Sequence, residues 1–409
     1  MELDFGNLLV VMALAASIPL LLGLVPRVPL PDSVLEILAG IVVGPMVLGW
    51  VEPDEVIAVL TKLGVAFLLF LAGLEINFRL LRGRAFRLGL YAFFASLVIG
   101  LALAAPLGAA DVLSDPLFIT VVLSSTSLGI VVPVLKDAGQ MGTRTAAFLI
   151  AACSIAEFGS IVALSMFFSP SGDPHPIETI AKLSILGAVV AIIAVVAGRG
   201  GGPWRARVND VVFRLQDSSA QLRVRIGVLL LIALVVLADR LKFDAILGAF
   251  LAGALIAALS DPVREDELGH VRHKLEALGF GFFIPVFFVG TGLTFPVDEL
   301  FSDSSALLRV PIFLILLLAV RGLPALLLRR DIPGRDLFPV ALLQATSLSF
   351  IVVATHVGVT LGEVRPINAA SLVAAGMLSV LLFPATALAV LRRSAPEVVP
   401  EVSEPAGEE

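Results

Sequence analysis

Cysteine and tyrosine occur once each in this chain, histidine four times, and only 15% of its residues are charged. A lone Cys153 excludes an internal disulfide and a cysteine-built metal cluster. The four histidines fall in no HExxH or similarly paired spacing, so metal-dependent hydrolysis has no basis. There is no GxxxxGK[ST], and no GxGxxG after a strand pattern, which removes the usual ATP and dinucleotide sites. No cofactor, no resident metal, no nucleic-acid partner and no enzymatic role is expected. Any transport is expected to run on gradients.

What the chain has is apolar residues: 58% of 409, with a mean hydropathy of +1.02. A soluble domain has about half apolar and a quarter charged residues, so the bilayer is the solvent this composition requires. The net charge of -6 owes much to the tail after Arg393, where Glu397, Glu401, Glu404, Glu408 and Glu409 stand among prolines. That tail, 394–409, is expected to be disordered and cytoplasmic.

A spanning helix needs about 20 mostly apolar residues. Thirteen segments qualify: 6–25, 33–50, 56–76, 88–108, 115–135, 145–168, 177–198, 223–239, 243–260, 278–295, 306–328, 337–358 and 367–391. The first has Glu2 and Asp4 before it and no small-residue cleavage site, so it is expected to be a retained span rather than a signal. With the N-terminus outside, and with Lys62, Lys182, Arg223, Arg225 and Arg309 counted on the side of the nearer span end, 21 of the 28 Lys and Arg residues fall on the cytoplasmic side and 6 on the other, leaving Arg321 deeper inside a span. The positive-inside rule then predicts N-out, C-in insertion in the inner (plasma) membrane.

The chain also matches itself. Ile37-Leu38-Ala39-Gly40-Ile41-Val42-Val43-Gly44 resembles Ile246-Leu247-Gly248-Ala249-Phe250-Leu251-Ala252-Gly253. Phe70-Leu71-Ala72-Gly73-Leu74 resembles the stretch from Phe288 to Leu293. Thr126-Ser127-Leu128-Gly129-Ile130-Val131-Val132 matches Thr346-Ser347-Leu348-Ser349-Phe350-Ile351-Val352. Each pair lies seven spans apart, and seven is odd, so matching helices face opposite ways. The expected organisation is a first inverted repeat with a linking helix at 1–198, a cytoplasmic linker at 199–222 and a second repeat at 223–393. The linker is either a solvated connection or an amphipathic helix on the cytoplasmic face. Inverted repeats place a transport site near the midplane, where discontinuous helices meet. Ser124 to Ser127 in span five, and Gln344, Thr346 and Ser347 in span twelve, are polar, breakable centres suited to that role. Their hydroxyls can satisfy freed backbone groups. The alternative is ordinary Ser/Thr packing between helices.

Ionisable residues in mid-membrane mark function by default, since a central charge costs about 2.5 to 3.5 kcal/mol on insertion scales. Glu157 lies near the centre of span six, where proton and metal ion can compete for one carboxylate. Ser154, one turn earlier, and Thr126 and Ser127 are expected to add oxygens. Arg321 in span eleven either neutralises the site when Glu157 lacks a cation or snorkels to the inner surface. Glu75, at the inner end of span three, is expected either to funnel cations or to be interfacial. Glu36 is expected at the interface, and His356 in a structural role.

Taken together, these segments resemble the cation:proton antiporter-2 family, which includes Kef-type and NapA-type exchangers. Glu36-Ile37-Leu38-Ala39-Gly40 through Gly44-Pro45, then Leu63-Gly64 and Leu69-Phe70-Leu71-Ala72-Gly73-Leu74-Glu75, look like its A-G-x-x-x-G-P and L-F-x-x-G-L-E signatures. Ser124-Ser125-Thr126-Ser127 looks like its unwound crossing helix, and Phe287-Phe288-Val289-Gly290-Thr291-Gly292-Leu293 like its later F-F-x-x-x-G-L run. The resemblance implies an all-α polytopic membrane protein with an NhaA/NapA-like fold and two crossed discontinuous helices. It also implies a homodimer in which a mobile core carries the ion by an elevator-like movement. The implied activity is exchange of Na+, K+ or Li+ for H+. Ala156-Glu157 stands where NapA-like members have two acids and Kef-like members Gln-Asp. Arg321 stands where the family usually has Lys, and a guanidinium does not readily release its proton. A single carboxylate predicts electroneutral one-for-one exchange. Sodium-coupled symport of an organic anion is the alternative, with Arg321 gripping the carboxylate. A channel or a non-transporting sensor is a third class that the inverted repeat disfavours.

Overall fold

In hydrocarbon a chain must satisfy its own backbone, and among open single segments only a helix does so. The computed structural model follows that rule: the described residues, 5–24, 31–75, 83–109, 115–141, 143–168, 181, 184–190, 192, 221–259, 265–302 and 304–394, contain helices and no strand. The helices are α1 (Gly6–Leu24), α2 (Asp32–Val43), α3 (Glu55–Leu74), α4 (Gly83–Ala109), α5 (Pro116–Leu123), α6 (Leu128–Asp137), α7 (Arg144–Phe167), α8 (Leu222–Arg240), α9 (Ala245–Leu259) and α10 (Glu265–Leu278). A π-turn at Gly279–Phe283 leads into α11 (Ile284–Leu293), followed by α12 (Val297–Ser302) and α13 (Ser304–Leu317). A second π-turn at Leu318–Gly322 and a 3-10 segment at Leu323–Leu328 precede α14 (Leu337–Gln344), α15 (Ser349–Leu361) and α16 (Pro366–Ser394).

Among the described residues nine helical segments are long and apolar enough to cross a membrane, and α9 is a shorter apolar helix. Spans five and twelve appear as the half-helix pairs α5/α6 and α14/α15. Most of the seventh span, most of the 199–222 linker and the tail beyond Ser394 lie outside the described residues. Span two differs from expectation. Its helix stops at Val43, because Pro45 lacks an amide and disfavours helical geometry at Gly44, which is extended at φ -67°, ψ 172°. Span ten is the second part of a longer helical run that begins at Glu265.

The helices pack as two bundles, each drawing on both halves of the sequence. One contains α1, α2, α3 and α8 to α11; the other contains α4 to α7 and α13 to α16. The repeated glycines explain the first bundle. A Cβ on Gly40 of α2 would lie 3.0 Å from Gly292 Cα of α11, and one on Gly73 of α3 would lie 2.8 Å from the Ala254 amide of α9. Span two thus pairs with span ten, and span three with span nine, so each repeat supplies one helix to each close crossing. Only the missing side chains allow backbones so near. Large apolar residues such as Leu9, Phe94, Val98 and Leu229 are exposed, as a lipid-facing surface requires. The bundles meet where Phe158 of α7 stacks on Phe250 of α9, with ring centroids 5.5 Å apart.

Candidate functional site

Four successive hydroxyl residues interrupt span five for a local reason. Ser124 Oγ donates to the Thr120 carbonyl at 2.7 Å and Ser125 Oγ to the Val122 carbonyl at 2.8 Å, offering the backbone an alternative to the helical ladder. Asp115 starts α5 by accepting from the Phe118 amide at 2.7 Å. The chain then runs uncoiled until α6 begins at Leu128.

The second break completes the first. The Ser127 amide donates to the Thr346 carbonyl at 2.9 Å, and the Leu348 amide donates to Ser127 Oγ at 3.1 Å. Ser125 Oγ and Ser347 Oγ are 2.8 Å apart, and Thr126 Oγ1 donates to the Gln344 carbonyl at 2.6 Å. On the far side, the Ser347 amide donates to Ser379 Oγ of α16 at 3.2 Å. Each break satisfies polar groups that the other frees, which is what a crossing in a lipid environment demands. Thr126, Ser127, Thr346, Ser347 and Gln344 are thereby brought to one place. The hydroxyls of Thr126, Ser127 and Thr346 serve first as backbone partners rather than as free oxygens, and the Ser347 hydroxyl pairs with that of Ser125. The buried side-chain amide of Gln344 makes no hydrogen bond among the described residues.

Glu157 projects from the middle of α7 to the start of α6. The Leu128 amide donates to its Oε2 at 3.4 Å, and the carboxyl is buried. Four amides at a helix N-terminus lack intrahelical partners and carry partial positive charge, a natural seat for a carboxylate. Ser154 is buried one turn earlier on α7. Glu75, which ends α3 in the other bundle, reaches the same helix start. Both its carboxylate oxygens lie 3.9 Å from where a Cβ on Gly129 would stand. The first turn of α6 therefore lies between two acids, one from each bundle.

Arg321 sits in the second π-turn and is fully enclosed, so it does not snorkel to the surface. Its Nε donates to Thr126 Oγ1 at 2.9 Å and its Nη1 to Ser96 Oγ of α4 at 3.0 Å. Among the described residues it makes no ion pair with Glu157. The guanidinium reaches the C-terminal end of α14 through Thr126, so the two buried charges oppose different ends of the broken helices: carboxylate at the start of α6, cation at the end of α14. Cys153, one turn before Glu157, is buried. Glu36, expected at the interface, is buried within α2 at 4% exposure. His356 is on the exposed side of α15.

Ser96 and Ser379 are partners that sequence reasoning missed. Each is a single serine in an apolar helix, with nothing local to set it apart from a packing residue. Among the described residues no group of three His, Cys, Asp or Glu is placed to hold a resident metal.

Crossed half-helices that meet in mid-membrane are the way inverted-repeat secondary transporters build a site. A sequence profile for "Sodium/hydrogen exchanger, transmembrane" matches residues 12–393, and the chain belongs to that family. It is 27% identical over 71% of its length to the Na(+)/H(+)-K(+) antiporter GerN of Bacillus cereus, covering 72% of that protein. It is 28% identical over 93% of its length to YjbQ of Bacillus subtilis, but spans only 62% of that longer protein. The fold is that of the sodium proton antiporter MjNhaP1 of Methanocaldococcus jannaschii, with a TM-score of 0.69 at 16% identity, covering 95% of this chain and 97% of that one.

Proposed function

We propose that this chain exchanges Na+ or K+ for H+ across a membrane, with Glu157 binding cation and proton in turn. The observation that carries the reading is the buried Glu157 carboxylate held against the Leu128 amide at the start of α6, beside the crossing of the two breaks. A protonated or cation-loaded Glu157 is close to neutral, whereas a bare carboxylate in mid-membrane costs about 2.5 to 3.5 kcal/mol. A loaded site therefore crosses readily and an empty one does not. Arriving M+ displaces H+ from the carboxyl on one side, and the reverse occurs on the other. Oxygens for the cation come from Glu157, from Ser154 and from the uncoiled backbone at Ser124 to Ser127.

Arg321 balances the carbonyl end of α14 through Thr126, so that the crossing carries no uncompensated helix charge when the site empties. The bundle holding Glu157 moves against the bundle holding α3 and α9, in an elevator-like step. The protein works as a homodimer in the inner membrane, with its N-terminus outside and C-terminus inside. Exchange of one M+ for one H+ at a single carboxylate is electroneutral, with Glu75 serving the mouth rather than the crossing step.

Symport of an organic anion has no support. Arg321, its proposed grip, is enclosed and bonded to Thr126 and Ser96, and the relatives are named as antiporters. The test is a pH-gradient assay in proteoliposomes, titrated with Na+, K+ and Li+. Glu157→Gln is expected to abolish cation-dependent proton movement. Retained movement in that variant would refute the assignment of Glu157, and a membrane potential generated by the wild type would refute electroneutrality.

A further inference from the structure

We propose that Arg272 is a built-in competitor for Glu75, and that it sets the apparent affinity with which the mouth of the site takes up a monovalent cation. The proposal rests on the exchange reading above and adds a specificity-tuning residue to it. Arg272 lies on α10, in the same bundle as Glu75, and its Nη2 is 3.8 Å from Glu75 Oε1. Its Nε donates to Glu276 Oε1 at 2.5 Å, one turn further along α10. His273 Nδ1 lies 3.6 Å from the other Glu276 oxygen.

One guanidinium is thus shared unequally between two carboxylates. Glu276 holds it at hydrogen-bond distance, and Glu75 feels it only as a nearby charge. Glu75 consequently keeps carboxylate oxygens turned towards Gly129 and the first turn of α6, where the loose counter-charge can be exchanged for an arriving cation. When the cation binds, Arg272 remains anchored on Glu276 and pays little rearrangement. Because Glu75 and Arg272 belong to one bundle while Gly129 and Glu157 belong to the other, the competition takes place on the side that does not carry the ion.

Glu75 side chain is 25% exposed and Arg272 46% exposed, so solvent screens the pair and its effect is modest. Removing Arg272 is expected to lower the apparent KM for the cation by about 1.5-fold to fivefold, the range that a partly exposed ion pair is worth. Glu276→Gln is expected to act in the opposite direction, because it releases Arg272 to pair more closely with Glu75.

The experiment measures exchange by the full chain in inside-out vesicles at fixed pH, titrating Na+ and separately K+. Wild type, Arg272→Gln, Arg272→Lys, Glu276→Gln and Glu157→Gln are compared at low and high ionic strength. The expected result is a lower KM for Arg272→Gln, a higher one for Glu276→Gln and a near wild-type value for Arg272→Lys. KM is expected to move by more than the maximal rate, and the differences to shrink at high salt. An unchanged or raised KM in Arg272→Gln overturns the proposal, as does a shift in the same direction in Arg272→Gln and Glu276→Gln, the mark of general damage. If Arg272→Gln fails to assemble, Glu276→Gln and Arg272→Lys decide alone, and an unmoved KM in Glu276→Gln is then the refuting result. Wild type that exchanges and loses exchange with Glu157→Gln, with KM unmoved by Arg272→Gln, sinks only the role of Arg272. No exchange by wild type sinks both readings.

Discussion

Thr126→Val is the substitution that best separates the crossing as a bonded network from the crossing as mere close packing. Valine has nearly the same shape, but it removes the hydroxyl that accepts from Arg321 Nε at 2.9 Å and donates to the Gln344 carbonyl at 2.6 Å. A hydrogen bond to a charged group contributes about 1.5–3 kcal/mol and a neutral one about 0.5–1.5 kcal/mol, so the loss is about 2–4.5 kcal/mol. The buried guanidinium keeps Ser96 through Nη1 but has no second anchor for Nε. Thr126→Ser retains both bonds and serves as the control. Thermal unfolding of the purified protein in detergent, followed by proteoliposome exchange, reads both consequences. At about 2–4 °C per kcal/mol for a cooperative unit of roughly 200 residues, the valine variant should melt at least about 4 °C lower than wild type, with slower exchange, and the serine variant close to wild type. A valine variant that melts with wild type and exchanges at the same rate would show that the Arg321, Thr126 and Gln344 chain holds nothing together.

Two further outcomes follow from other parts of the molecule. Gly40→Val puts a branched side chain where even a Cβ would stand 3.0 Å from Gly292 Cα; it should prevent the α2/α11 crossing, cutting the yield of folded protein severalfold, whereas Gly23→Val, with open space around it, should not. If proton and cation compete for Glu157, the apparent KM for the cation should rise as pH falls, approaching about tenfold per pH unit where the carboxyl is mostly protonated; a KM independent of pH across the acid limb would remove the competition.

The sequence matches pointed to the right residues but not to their partners. Gly40, Gly73, Gly253 and Gly292 are visible as repeated small residues, yet hydropathy cannot say that span two crosses span ten and span three crosses span nine. The Thr-Ser-Leu pairs show where the helices break, because hydroxyl clusters compete locally with the helix ladder. That the breaks bond to each other depends on contacts more than 200 residues apart. Glu75 illustrates the limit well: its position at the end of a span made funnel and interface equally reasonable, and only packing against Gly129 brings it to α6. Arg321 had a choice between surface and interior that length alone left open, since its final partners, Ser96 on α4 and Thr126 in the break of span five, have no sequence link to span eleven. The early stop of α2 follows from Gly44-Pro45, but the apolar run that continues past it made a span to residue 50 the expectation.

The mutual dependence of the two breaks bears on how the chain is made. Thr126 leaves the ribosome 218 residues before Gln344, a delay of roughly 10–45 s at ordinary synthesis rates of about 5–20 residues per second. During that interval the uncoiled Ser124 to Ser127 stretch has no opposite break to receive its amide or its hydroxyls. The first half must therefore wait in the bilayer as a continuous helix, or with its polar centre turned to water or to the insertion machinery, and unwind into its final form only when the second half arrives. Maturation of the crossing is a late event by construction, and expression of the two halves as separate polypeptides that find each other in the membrane would reproduce it.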